Sequence, residues 1–187
     1  MAGIAHVITP DSATGAQVID GSLKFDSDKN QYLYRDVSVA GNRRTWTISF
    51  WCKLNRITGY QYFFSAGTNL SSNFMLFQQD NSASTVAIYD YTSSFQWFID
   101  PAEVFRDSSS WYHFVINLNT TTQSVNFYVN NRLVGQVNTA PSSNYEGFWN
   151  SNVKHRISDD TYSLGCQLSQ FYSIEGQALG PEYFGFT

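Results

Sequence analysis

Apolar and polar residues alternate with period two over short stretches along most of the chain. The clearest are Ser22–Asp26, Gln31–Arg35, Thr45–Leu54, Asn73–Gln78, Ser84–Tyr89, Phe95–Ile99, Trp111–Leu118, Gln123–Val129 and Arg132–Val137. That repeat, rich in β-branched and aromatic residues, predicts half-buried β-strands. In Thr45–Leu54, Trp46, Ile48, Phe50, Cys52 and Leu54 share one face, while Thr45, Thr47, Ser49, Trp51 and Lys53 share the other. One oily and one mostly polar face predicts a sheet packed on one side only. Asn130-Asn131 forms a two-residue connection between Val129 and Arg132, and asparagine tolerates the positive φ of a type I′ hairpin turn. No amphipathic helical run is present, and only Ala178–Phe184 has room for a turn or two of helix.

Roughly ten to fourteen short strands fit a two-sheet antiparallel jelly-roll sandwich better than an immunoglobulin sandwich. No internal repeat points to a propeller or solenoid, and no linker divides the sequence. The expected organisation is one domain over residues 1–187. Residues 21–187 form its sandwich core, and residues 1–20 form an N-terminal segment read as an arm or edge strand.

Composition narrows the function classes. Of 187 residues, 17% are aromatic and 14% charged, against ~25% charged in ordinary soluble domains. A charge-rich helical bundle and a disordered chain are both excluded. Net charge is −4, with no basic cluster beyond Arg43-Arg44, so nucleic acid is not the expected partner. No apolar run approaches the ~18 residues of a membrane span, and the N-terminus lacks the features of a secretory signal. Cys52 and Cys166 fit no metal-ligand spacing and lie in phase with apolar strand residues. They read as buried core residues, with a disulfide between neighbouring strands as the alternative.

Catalysis finds little support. Glycosidases need two carboxylates flanking the sugar bond, yet none of Glu103, Glu146, Glu175 and Glu182 has Asp two positions on. No nucleophile elbow or metalloprotease motif is present, and no catalytic residue is assigned. Trp46, Trp51, Trp111 and His113 read as strand packing residues. Sugar binding asks for aromatic faces beside amides and carboxylates, and Asn144–Asn150 has that mixture. Tyr145, Glu146, Trp149 and Asn150 are therefore the candidate sugar-binding residues. The competing reading is that these aromatics cap the sandwich or fill a subunit contact. Tyr60-Gln61-Tyr62 and Tyr89-Asp90-Tyr91 are second candidates.

A set of strings in fixed order carries a family resemblance. They are Ser22–Asp26 with Tyr32-Leu33, Gly41–Thr47 with Phe50-Trp51, Phe64–Gly67, Val104–Asp107 with Trp111–His113, Phe127–Asn130, and Gly176–Leu179 with Pro181 and Phe184-Gly185. Together they resemble the concanavalin A-like, laminin-G-like sandwich domains of tailed-phage structural proteins. The resemblance implies a non-enzymatic virion-surface protein, made in the host cytoplasm, that decorates the capsid. Its implied partners are the major capsid protein or other virion subunits, in an oligomer that includes a homotrimer among its options. The alternative it implies is a carbohydrate-binding adhesin, or a host-receptor module of a tail or fibre, with cell-surface glycans as partners. A structural subunit would bury Tyr145, Phe148 or the Ala2–Val18 segment against neighbours. No cofactor is expected beyond calcium, which some laminin-G-like domains bind; Asp159 and Asp160 are weak candidate ligands, far from the six to eight oxygens calcium takes. Arg156–Asp160 departs from the pattern, standing where related domains tend to carry an isoleucine-glycine pair.

Overall fold

The structure is a computed structural model that describes residues 20–185 apart from 72, 80–84, 102 and 135–136. The Ala2–Val18 segment and nearly all of the expected N-terminal arm lie outside the described residues.

Thirteen strands are present among the described residues: β1 (Leu23–Phe25), β2 (Leu33–Asp36), β3 (Thr45–Leu54), β4 (Gln61–Asn69), β5 (Asn73–Gln79), β6 (Val86–Thr92), β7 (Phe95–Ile99), β8 (Tyr112–Asn119), β9 (Ser124–Val129), β10 (Arg132–Leu133), β11 (Val137–Thr139), β12 (Lys154–Ile157) and β13 (Cys166–Glu175). They form a six-stranded sheet in the order β1-β13-β3-β8-β9-β10 and a seven-stranded sheet in the order β11-β7-β6-β5-β4-β12-β2. The strand pairs are antiparallel, which gives the expected all-β sandwich with jelly-roll crossovers. Phe50 sits at its centre, with the rings of Phe63, Phe64, Phe77, Phe114 and Phe171 at 5.4–6.1 Å. Fully burying one such side chain contributes roughly 1.5–3 kcal/mol.

Turn chemistry follows the sequence closely in two places. Asn130 and Asn131 both have positive φ, 48° and 66°, and join β9 to β10 with Arg132 opposite Val129. Pro181–Phe184 forms a short 3-10 turn inside the segment expected to be helical. The stretch read as one strand, Arg132–Val137, instead ends at Leu133, and Val137–Thr139 joins the other sheet beside β7. Ser158, in the departing segment, has φ 66°. It adopts the left-handed conformation that a glycine favours there, and its hydroxyl accepts the Leu164 amide at 2.9 Å.

The expectation that β3 is packed on one side only is corrected. Thr47, Ser49 and Trp51 on its second face are buried, as are His113 and Val115 beside them. The C-terminal segment lies across this face. Thr47 Oγ1 donates to Gln177 O at 2.7 Å and accepts the Leu179 amide at 2.8 Å, while Asn117 Nδ2 donates to Leu179 O. His113 stacks on Trp51 at 4.8 Å, faces Ser49 Oγ at 2.9 Å and lies 6.4 Å from the Phe184 ring. The polar side chains of this face thus satisfy the backbone of a covering segment, a cover that alternation alone does not reveal. Cys52 and Cys166 are free thiols buried in the core, and burial pushes the Cys52 thiol up, helped by Cys166 beside it.

Candidate functional site

The Asn144–Asn150 segment closes one end of the sandwich, and each nominated side chain in it is engaged internally. Tyr145 donates its hydroxyl to Asp90 Oδ1 at 2.8 Å, and the Phe148 amide donates to Asp90 Oδ2 at 2.8 Å. Glu146 accepts from Arg44 Nη2 at 2.7 Å and from Arg43 Nη1 at 3.5 Å. Trp149 is 4% exposed. Its indole N–H donates to Ser173 Oγ, and Phe64, His155 and Trp46 pack round its ring at 5.2, 4.8 and 6.4 Å. Asn150 donates its amide to His155 Nε2 and its side chain to Asn42 O. The ring face that sugar stacking on Trp149 would need is occupied by protein. The structure brings the four residues together as a cap that ties the two sheets, the arrangement of the competing reading, with Trp149 and Asn150 also lining a cleft beside β2.

The two secondary candidates converge on the outer face of the seven-stranded sheet. One rung of register runs Phe98–Tyr89–Leu76–Ser65–Arg156–Tyr34 across β7, β6, β5, β4, β12 and β2. At the usual strand spacing that face is roughly 24 Å wide. Ser65 and Leu76 are buried at its floor. Around them stand Tyr62, which lies opposite Gln78, and Tyr91, which lies opposite Phe74 and Phe95. Alternation explains the arrangement: Gln61 and Asp90 point inward and are buried, so the tyrosines flanking each of them point out.

Four phenols form the centre of this face. The Tyr162 ring lies 4.8 Å from Tyr62 and 5.8 Å from Tyr60, and Tyr60 and Tyr162 are each 40% exposed. Burial pushes the Tyr89 hydroxyl up to about 12, with Tyr60 adding to the shift. Burial also raises Tyr62, followed by Tyr89, Tyr162, Asp159 and Tyr60, so the four phenols share one neighbourhood. A groove of about 250 Å³ beside Tyr62 and Tyr162 is edged by Arg156, Asp159 and Asp160. Further along, Phe95 and Phe98 stack at 4.7 Å, with Tyr89 and Tyr91 edge-on to Phe95 at 5.3 and 5.4 Å.

The candidate calcium ligands serve this groove differently. Asp159 is buried, and its Oδ1 accepts the amides of Thr161 and Tyr162, which sets the loop that presents the Tyr162 ring. Asp160 is exposed. No cluster of three or more His, Cys, Asp or Glu is present among the described residues. Tyr162 itself escaped sequence reasoning because it stands alone in a Ser- and Asp-rich loop, with no alternating partner to mark its direction.

An antiparallel two-sheet sandwich with a seven-stranded face of partly exposed aromatics is matched at sequence level. Residues 10–164 fit the sequence profile described as the concanavalin A-like lectin/glucanases superfamily. The chain belongs to that superfamily.

No curated protein sequence matches this lectin-like chain, but solved structures resemble its fold. Domain 4 of AbnA, a GH43 extracellular arabinanase from Geobacillus stearothermophilus, in complex with arabinotriose, aligns at TM-score 0.58 and 12% identity, covering 81% of this chain and 78% of that one. The native heptameric SAP-like pentraxin of Limulus polyphemus aligns at 0.59 and 15%, covering 86% and 77%. The Ruminococcus gnavus IT-sialidase CBM40, bound to α2,3-sialyllactose, aligns at 0.57 and 9%, covering 83% and 97%. At these identities the likeness concerns the fold.

Proposed function

We propose that this protein is a non-enzymatic carbohydrate-binding module that holds glycans on the outer face of its seven-stranded sheet. The observation that carries the reading is the convergence of Tyr60, Tyr62, Tyr89 and Tyr162 beside Arg156 and Asp160. Phenol rings offer apolar faces to a pyranose, while their hydroxyls, the guanidinium and the carboxylate bond its hydroxyl groups. Two proteins of like fold were solved with arabinotriose and α2,3-sialyllactose, which supports the class of ligand. The non-enzymatic part rests on the carboxylates. Glu103 pairs with Arg132, Glu146 with Arg43 and Arg44, and Glu175 accepts the Asn42 amide. A glycan array probed with the wild type and Tyr162→Ala tests the proposal. Saturable binding that the variant loses at least tenfold, or ~1.4 kcal/mol, is expected; binding unchanged in the variant would contradict this site.

The particle-surface setting belongs to the same proposal and rests on the resemblance of the ordered strings to tailed-phage structural domains. Capsid decoration, with the major capsid protein as partner, is its second reading. Immunogold labelling of parent particles separates the placements. Gold over the head supports decoration, and gold at the tail tip or fibres supports an adhesin. Absence of gold on intact and opened particles contradicts both.

A further inference from the structure

At the β2 edge the two sheets part to leave a cleft of about 460 Å³, within the ~300–1,000 Å³ range of small-molecule pockets. The inner faces of β2 and β12 form one wall and β13 the other. One end is apolar, lined by Leu33, Ile157 and Phe171; Leu33 is 48% exposed, and Val39 at the rim 79%. Midway along, Arg35 lies opposite His155 in register, and both line the cleft.

The chemistry of that midpoint is specific. His155 Nδ1 lies 2.9 Å from Val153 O, and its Nε2 accepts the Asn150 amide at 2.9 Å. The ring is therefore neutral and fully engaged. Burial lowers its pKa, the Val153 carbonyl raises it and the charge of Arg35 lowers it, and Arg35 itself lines the cleft beside the ring. Arg35 forms no ion pair among the described residues. The remaining charged groups on the walls are Arg156 and Glu175. Glu175 packs over Gly41 at the opposite end, its Oε2 already accepting the Asn42 amide at 2.9 Å.

We propose that this cleft binds an amphipathic carboxylate. Its aliphatic or aromatic body lies against Leu33, Ile157 and Phe171, and its carboxylate is held by Arg35. A guanidinium is always charged and matches a carboxylate in bidentate geometry. Beside an apolar wall it gains more from an anion than from a neutral ligand, and it repels a cation. Arg35 lies on the inner face of β2, whereas the tyrosine platform occupies the outer face of the same sheet and meets the cleft at Arg156, so an Arg35 substitution separates carboxylate binding from glycan binding. Calorimetric titration of the full chain with octanoate, with octanol as the neutral probe, tests the proposal. Octanoate is expected to bind saturably and at least tenfold more tightly than octanol, with the difference shrinking as salt rises. Arg35→Gln should lose at least tenfold in octanoate affinity and Arg35→Lys less, both leaving glycan binding unchanged. Equal affinity for octanoate and octanol, no octanoate binding at millimolar concentration, or an unaffected Arg35→Gln variant would each overturn it.

Discussion

Asp90 is a carboxyl group that faces inward so that the flanking tyrosines can face out. Its burial raises its pKa to about 6, although Phe148, Tyr145 and Arg43 pull the other way. The folded protein therefore keeps this proton up to about pH 6, whereas an unfolded aspartate releases it near 3.9. Between those values the folded state binds more protons, so this residue's contribution to stability falls as pH rises, by about 3 kcal/mol across the window. His113 acts in the opposite sense: burial lowers its pKa to about 4, and its contribution falls by a similar amount as pH drops from 6.5 toward 4. The two slopes offset in the wild type. Asp90→Asn keeps the cap, because its side-chain oxygen can accept the Phe148 amide while its NH2 donates to a reoriented Tyr145 hydroxyl. Denaturant titrations at several pH values should show Asp90→Asn losing about 3 kcal/mol between pH 6.5 and 4, while the wild type changes little. A variant with the wild-type profile would show that Asp90 is ionised throughout.

At the level of elements, the C-terminal segment is the feature that most changes how the six-stranded sheet is read. Thr47 joins it to β3 by both accepting and donating. Thr47→Val conserves shape but removes both bonds from a buried position, leaving the Leu179 amide and Gln177 carbonyl to water or to nothing. A loss of about 1–3 kcal/mol follows, measurable as a lower denaturation midpoint; no change would mean that the segment contributes no stability where it lies. The same elements show where sequence reading works. β3 and β9 follow the alternation residue for residue in their pairing with β8, because each is an uninterrupted strand whose pleat dictates the pattern. β4 was hidden by a register shift between Tyr62 and Phe64 that turns both Phe63 and Phe64 inward. β13 was only half legible because its register shifts between Ser169 and Tyr172, where Gln170 has φ 48°. Bulges of this kind put one extra residue on a strand and break period two. Trp149 was hard to place for a different reason: a Trp among Asn, Glu and Ser looks solvent-facing until the seven-stranded sheet supplies Phe64 and the six-stranded sheet Ser173 to cover it.

At the scale of the whole molecule, the two sheets play different parts. The six-stranded sheet has its central outer face covered by its own C-terminal segment, while the seven-stranded sheet carries the tyrosine platform on one side and a wall of the carboxylate cleft on the other. The capped end, built on Asp90, Tyr145, Glu146 and Trp149, fixes the sheets against each other. The central claim is that the partly exposed aromatic face of the seven-stranded sheet is the glycan site. Calorimetric titration of wild type, Tyr62→Ala and Tyr162→Ala with the best glycan from the array tests it most directly. Tyr162 is half-exposed, and its backbone carbonyl still accepts the Tyr62 amide after truncation, so folding should survive. The account predicts at least tenfold weaker binding in both variants with the denaturation midpoint of Tyr162→Ala close to wild type. Wild-type affinity in both variants would contradict it and move the glycan off this face.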